Sequence, residues 1–392
     1  MSRSVTGQTQ TVAVIGGGAI GSAAAWQLAD RGHQVVLLEQ FAAGHARGAS
    51  HGSSRIFRYS YPLADYVGLA GRAARLWRRL ERLDGQRFYA RTGAVDHGDP
   101  GAVGRLTRVL RRTGVEHTVL TPEQAAARWP GLRFDGMVLH HPDAGRLHAD
   151  HAVAALQRQA REAGARTWFH APAGGLRPSA SGVRLSTPSG SVRFDQVVVA
   201  AGAWTAGLLS EVPALSRRLP PLVTTQEQPV HFVPAETPVG WPGFLHHPGA
   251  GHTGAGVYGL ASPDGVKVGE HGTGPRVGPD DRDFRPDPAG VVRLQEYAAR
   301  WIPGVDPSTA TAVTCLYTST PDGHFVIDRA GPITIAAGFS GHGFKFAPAI
   351  GELVAGLVEG TADPPSLFRL RDDRSVADEA AGAAPIVPAG HH

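Results

Sequence analysis

The apolar positions of the chain fall into runs of two kinds. Thr11–Ile15 is a short apolar, β-branched run, residues 19–31 carry an Ala-rich helical pattern, and residues 34–39 form a second apolar run. Strand, helix and strand in that order predict a βαβ unit. Residues 196–200, which lead into Ala201-Gly202-Ala203-Trp204, and Ile333–Ala337, ahead of the glycine-rich residues 338–343, predict two more strands of the same sheet. Three strand-to-glycine junctions, far apart in sequence, can thus converge on one ligand. In residues 72–87 the arginines interleave with Leu76, Trp77 and Leu80 at helical spacing, the pattern of an amphipathic helix with a solvated basic face.

Two blocks of different texture interrupt this pattern. Residues 88–146 and 217–311 are rich in Pro, Gly, His and short β-like runs. The predicted fold class is α/β: a Rossmann-like dinucleotide domain made of residues 1–87, 147–216 and 312–370, with a mixed-sheet substrate domain inserted as 88–146 and 217–311. Residues 371–392, with their Ala, Gly, Asp and Pro, read as a disordered tail.

At 392 residues and 42% hydrophobic content the chain can build two lobes around separate cores. The formal charge is only +4 and the basic residues are spread over predicted helices, which argues against a nucleic-acid partner. No signal-peptide core and no membrane-length apolar run are visible, so the expected compartment is the cytoplasm. The one cysteine, Cys315, has no disulfide partner. Of 38 basic residues only Lys267 and Lys345 are lysines. An ammonium is a compact point charge whose pKa can move, whereas a guanidinium is wide, planar and always protonated, so these two positions ask for chemistry that arginine cannot supply.

Gly16-Gly17-Gly18-Ala19-Ile20-Gly21 matches G-x-G-x-x-G between the first strand and the first helix. Gly16 permits the tight turn, Gly18 lets a pyrophosphate approach the backbone, and Gly21 lets helix and strand pack closely, while the helix N-terminus offers free amides. Glu39 ends the second strand 18 positions after Gly21, at the distance of an acid that bonds an adenosine ribose, with Gln40 beside it. The pattern predicts a dinucleotide and leaves NAD and FAD open.

Three later motifs separate them. Gly48-Ala49-Ser50-His51-Gly52-Ser53-Ser54-Arg55-Ile56-Phe57-Arg58, Cys315-Leu316-Tyr317-Thr318, and the run from Gly338 through Ser340, Gly341, Gly343, Phe344 and Lys345 resemble, in that order, the monomeric sarcosine oxidase and N-methyltryptophan oxidase family of flavoprotein amine oxidases. The similarity spans residues 12–359. It implies FAD, contacted by Ala19, Ile20, Ser50, Ser53, Gly341, Gly343 and Phe344 as well as by the first glycines, and attached covalently through the Cys315 sulfur. It implies that Lys267 activates oxygen and that Arg58 and Lys345 hold a substrate carboxylate. It places Arg55 against the flavin, and His51, Tyr258, His271 and Tyr317 around the site. A helix after Pro348 would aim its positive end at the flavin.

The resemblance further implies a monomeric oxidase whose partners are a small carboxylated amine and molecular oxygen, with hydride transfer to the flavin, imine hydrolysis and hydrogen peroxide as by-product; no metal is required. Two departures stand out. The family's acid shortly after the Arg-x-x-Arg segment is missing from Tyr61-Pro62-Leu63-Ala64, the first acid being Asp65, and residues 241–258 are unusually rich in Gly and His, which suggests a roomier entrance. A biosynthetic oxidase or dehydrogenase of a cyclic imino acid or tailored amine, and a dinucleotide-binding protein without catalysis, are the alternatives.

Overall fold

In the computed structural model the described residues are 9–371, apart from 239, 248 and 250–255. The predicted disordered tail lies, beyond Arg371, outside them, as does part of the Gly- and His-rich stretch 241–258. A six-stranded sheet runs in the order Val326–Ala330, Ile333–Ala337, Gln196–Val199, Thr11–Ile15, Gln34–Leu38, Arg166–Trp168. All neighbours pair in parallel except the first two. The four central strands are buried along nearly their whole length, as their Val-, Ile- and Leu-rich runs require when helices and an antiparallel layer cover the two faces, while the edge strand Arg166–Trp168 is not.

The helix Ala19–Asp30 is buried almost all round, between Ala149–Glu162 and Ala347–Glu359. Its alanines are what allow this: a Cβ at Gly351 would come 2.9 Å from the Ala23 Cβ, so no larger residue fits that crossing. The helix predicted over 72–87 spans Ala64–Asp84. Tyr66, Val67 and Ala70 extend the apolar stripe upstream, and Gly85, in the left-handed region at φ 75°, ends the helix before Arg87.

An eight-stranded sheet takes Ala94–Gly98, Thr118–Leu120 and Val138–His141 from the first block and Val230–Pro234, Gly243–His247, Val257–Ser262, Gly265–Glu270 and Val305–Ala312 from the second. Where the blocks meet, Ala94–Gly98 pairs in parallel with Gly243–His247, which makes the sheet mixed. The blocks are not cleanly apart from the first lobe, however. The helix Pro100–Arg112 buries Val103, Leu106, Val109 and Leu110 in the same core as Trp26 and Trp77, and Arg55–Phe57 pairs with Gly145–Leu147 and so reaches Tyr89–Ala90. Its strongly amphipathic pattern, not its place in the block, decides where that helix packs. Among the described residues no helix is long and apolar enough to cross a membrane.

Candidate active site

One cleft of about 1560 Å³ runs from the end of the first strand to the substrate sheet, larger than the roughly 300–1,000 Å³ that suits a drug-sized ligand. Gly16, Gly18, Ala19, Ile20, Glu39, Gln40 and Ser50 line one end. Gly16 adopts φ 108°, and a Cβ there would sit 2.4 Å from the Ala200 carbonyl oxygen, so the turn admits only glycine. Gly21 does not reach the cleft; it lies beneath, where a Cβ would collide with the Gly16 carbonyl, which is the close packing expected of it. Ser50 Oγ accepts from the Ala19 N–H at 3.0 Å, and Glu39 Oε2 accepts from the Gly17 N–H at 2.7 Å. Burial works to raise the Glu39 carboxyl, but the bonds from His45, Phe41 and Gly17 outweigh it and hold the group below its ordinary value. A narrow backbone cradle with an ionised acid 18 residues on fits the pyrophosphate and ribose of a dinucleotide.

At the other end Arg55, Lys267, Cys315, Tyr258, Tyr317 and His271 line the cleft. Cys315–Ser319 pairs with Val223–Glu227, and Lys267 stands on Gly265–Glu270 between its register partners Leu260 and His231. Tyr258 lies over Gly269, where a Cβ would come 2.7 Å from the ring, and its hydroxyl is 3.4 Å from that of Tyr317. The Gly341 turn, at φ 75°, closes on the Tyr317 ring so tightly that a Cβ would approach it to 2.3 Å. Lys267 is buried and has no hydrogen-bond or ion-pair partner among the described residues; burial, helped by the Arg55 charge, brings its ammonium down to about 7. Burial pushes the Cys315 thiol up, against the opposing charges of Arg55, Lys267 and Arg282. Arg55 is fixed by the carbonyls of Ser54, Ala49 and His51, with its guanidinium 5.5 Å from the Phe344 ring centre.

Arg58 and Lys345, distant in sequence, meet at Tyr61. The Arg58 guanidinium lies 4.1 Å from the Tyr61 ring centre and donates to the Ser60 carbonyl and, at 3.3 Å, to Ser60 Oγ. Lys345 Nζ donates to the Tyr61 hydroxyl at 2.9 Å and to the His342 carbonyl at 2.8 Å. Burial, and then the Arg58 charge, holds the Lys345 ammonium well below its usual range, while burial raises Tyr61 to about 12. Trp77 Nε1 donates to the Lys345 carbonyl at 2.8 Å, so the long helix braces this turn. Neither cation forms an ion pair among the described residues. A half-buried guanidinium and a buried amine that converge on one phenol, neither held in an ion pair among the described residues, make a seat for an anion.

Gly343 and Phe344 line the cleft beside Lys345, and the helix Ala347–Glu359 follows, beginning one residue before Pro348. His51 and Ser53 are not brought into the cleft lining. The Ser53 hydroxyl donates to Asp264, and the His51 ring is buried with Nε2 unpartnered, its pKa lowered to about 3 by burial and by the charges of Arg55, Arg282 and Lys267.

Two features escaped the sequence. His247 lines the cleft and its Nε2 is 2.8 Å from Oδ1 of Asp96, a completely buried carboxylate whose Oδ2 has no partner. Burial works to raise Asp96, yet the His247 bond and the charges of His247 and Arg58 keep it below its ordinary value. The pair is made by a parallel register between strands 151 residues apart, which no local motif announces. Position 63, within the stretch that lacks the family's acid, is a cleft-lining leucine, and Asp65 is exposed in the first turn of its helix. The second feature is Arg282, buried and bonded to Thr314, the residue before Cys315.

The family model of FAD-dependent oxidoreductases matches residues 11–357. A monomeric sarcosine oxidase of Streptomyces avermitilis is 36% identical over 378 residues, covering 92% of this chain and 97% of that protein. A monomeric sarcosine oxidase of Bacillus sp. (strain NS-129) is 30% identical over 92% of this chain and 96% of its own length, and an N-methyl-L-tryptophan oxidase of Salmonella heidelberg is 28% identical over 88% and 94%. Among solved structures, NikD, described as an unusual amino acid oxidase essential for nikkomycin biosynthesis, superposes with a TM-score of 0.80 at 25% identity, over 93% of this chain and 98% of that one. With the glycine cradle, the ribose-distance acid and the motif order all on one cleft, the chain belongs to the FAD-dependent oxidoreductase family, among the relatives of the sarcosine and N-methyltryptophan oxidases.

Proposed function

We propose that the protein is an FAD-dependent oxidase of a secondary or N-methylated amino acid. The observation that carries this reading is the anion seat: half-buried Arg58 and buried Lys345, which meet at Tyr61 with no ion-pair partner among the described residues, share a cleft with Lys267 and Cys315. The backbone at Gly18 and the N-terminus of the helix Ala19–Asp30 would hold the pyrophosphate, Glu39 the ribose, and Arg55, Gly341, Phe344 and Cys315 the flavin, with Cys315 as its covalent anchor. FAD in that place supplies a hydride acceptor and a donor of electrons to oxygen.

The substrate carboxylate would enter between Arg58, whose fork offers two parallel donors, and Lys345, which bonds from another direction. Its charge restores the Lys345 ammonium by replacing the water that burial removed. Held at that end, the amine is fixed in orientation. The surrounding cations disfavour an ammonium on the substrate, so the amine sits in its neutral, reactive form. Lys267, without a hydrogen-bond or ion-pair partner among the described residues and with its pKa brought down to about 7, places a positive charge where oxygen acquires negative charge. Released imine meets water, and hydrolysis follows outside the cleft. The protein would act as a monomer in the cytoplasm.

A second reading, a biosynthetic oxidase or dehydrogenase of a cyclic imino acid or tailored amine, is favoured by Leu63, which lines the cleft within the stretch that lacks the family's acid, by the Asp96–His247 pair at the cleft, and by the likeness to NikD. A peroxide assay over sarcosine, N-methyl-L-tryptophan, L-proline and L-pipecolate tests both. Peroxide from the N-methyl amino acids supports the first; turnover confined to the cyclic ones supports the second; a flavin-loaded protein silent toward all four overturns both.

A further inference from the structure

We infer that Arg282 is the positioning residue that presents Cys315 to the flavin, an inference that rests on the covalent-anchor reading above. Arg282 is only 6% exposed and every arm of its guanidinium is used. Nη1 donates to the carbonyls of Ala46 and Arg47, both at 3.1 Å. Nη2 donates to the Thr314 carbonyl and, at 2.8 Å, to Thr314 Oγ1, while Nε donates to Gln226 Oε1 at 3.3 Å. Its carbon face stacks 4.2 Å from the centre of the Phe284 ring. None of these acceptors is a carboxylate; Asp283 acts on the guanidinium only through its charge, its Oδ1 accepting from Gln226 Nε2 at 2.9 Å.

Burying a guanidinium against neutral oxygens is costly and calls for a compensating purpose. The three segments it joins suggest one. Ala46 and Arg47 belong to the exposed loop that continues along the cleft to Ser50, Thr314 is the residue before Cys315, and Gln226 is the register partner of Leu316, one position beyond Cys315. One planar group therefore fixes the residue before the thiol and ties it to the neighbouring strand, through the Gln226 side chain, and to the 46–47 loop. Together with Arg55 and Lys267 it also places positive charge near the sulfur, which works against the burial that holds the thiol's pKa up.

The Cys315 sulfur loses its proton and bonds to the flavin 8-methyl carbon, which loses a hydrogen. The two electrons and two protons released in all pass to molecular oxygen as hydrogen peroxide, leaving the tethered flavin oxidised. Position decides the rate, since an error of an ångström in a reacting pair costs about 10²-fold.

The test follows tethering in the full-length chain, prepared without flavin and then given FAD. Acid precipitation at intervals separates anchored from free flavin. For the wild-type chain we expect a yellow pellet; for Arg282→Gln and Arg282→Lys we expect native protein that binds FAD, with anchoring slowed at least about tenfold. The lysine variant separates geometry from charge. It keeps the positive charge but cannot span five acceptors, so it should preserve the pH profile of alkylation of Cys315, the chain's one cysteine, while failing to restore anchoring. The glutamine variant should shift that profile to higher pH. If the arginine variants do not fold, Thr314→Val removes one acceptor alone and should slow anchoring several-fold. Anchoring at the wild-type rate in all folded variants would overturn the inference while leaving the anchor reading intact; a wild-type chain that releases all its flavin to acid would overturn the anchor reading, and this inference with it.

Discussion

The two ends of the cleft recognise their ligands by opposite means. Around Gly16 and Glu39 the work is done by backbone: amides, a turn that only glycine can make, and one ionised acid held by three hydrogen-bonding neighbours. Around Lys267, Arg58 and Lys345 it is done by buried or half-buried basic groups with no ion-pair partner among the described residues, brought together from across the chain. The first arrangement is sterically exact and electrically settled. The second is electrically unfinished, and a buried unmatched charge is tolerated where a ligand completes it. The difference teaches which end is built to hold something permanently and which to meet something that comes and goes.

Substitutions at the two ends should therefore fail differently. The largest effect belongs to Gly16→Val. Its side chain has no room against the Ala200 carbonyl, so purified protein should carry essentially no flavin, as read from visible absorbance per chain. Lys345→Met should bind FAD normally yet slow anaerobic flavin reduction by the preferred amine about 10²–10³-fold, the scale of losing one preorganised donor to an anion. Lys267→Met should leave reduction intact and slow reoxidation by oxygen about 10²-fold; equal slowing of both steps would refute its assignment.

The lowered pKa of Lys267 gives a milder effect with a definite sign. Its ammonium is present below about pH 7 and is lost above it. Wild-type reoxidation should therefore slow as pH rises through that value, and the dependence should vanish in Lys267→Met. The same group destabilises the flavin-free fold most when protonated. Because the unfolded chain holds this proton up to the ordinary lysine range, stability from this group should rise with pH from about 7 toward 10.5. Smallest of all, Asp96→Asn keeps the shape beside His247 and removes its charge, and should change the ratio of kcat/KM between sarcosine and L-pipecolate by only a few-fold.

Legibility in the sequence follows the same division. The glycine turn, the strands at Thr11–Ile15 and Ile333–Ala337, and Glu39 were readable because the dinucleotide end is local: one βαβ unit places its residues by period and spacing. The near absence of lysine pointed at Lys267 and Lys345 for a physical reason, since each stands where a guanidinium would not fit the task. What spacing could not give is the meeting of Arg58 and Lys345 on Tyr61, the Asp96–His247 pair and the Arg282 fork, all of which arise from sheet register and loop closure across long separations. Helix Pro100–Arg112 was hidden for a related reason, lying in a block whose Pro, Gly and His content masks a strongly amphipathic segment.

The most direct test is anaerobic stopped-flow mixing of the flavin-loaded protein with paired amines that differ only in the carboxylate, such as L-pipecolate against piperidine and sarcosine against dimethylamine. Rapid bleaching of the flavin by at least one carboxylated member, with its decarboxylated counterpart inert, is the predicted result. Equal reduction by both members of a pair, or no reduction by any carboxylated amine in a protein that has bound its flavin, would contradict the anion seat formed by Arg58 and Lys345.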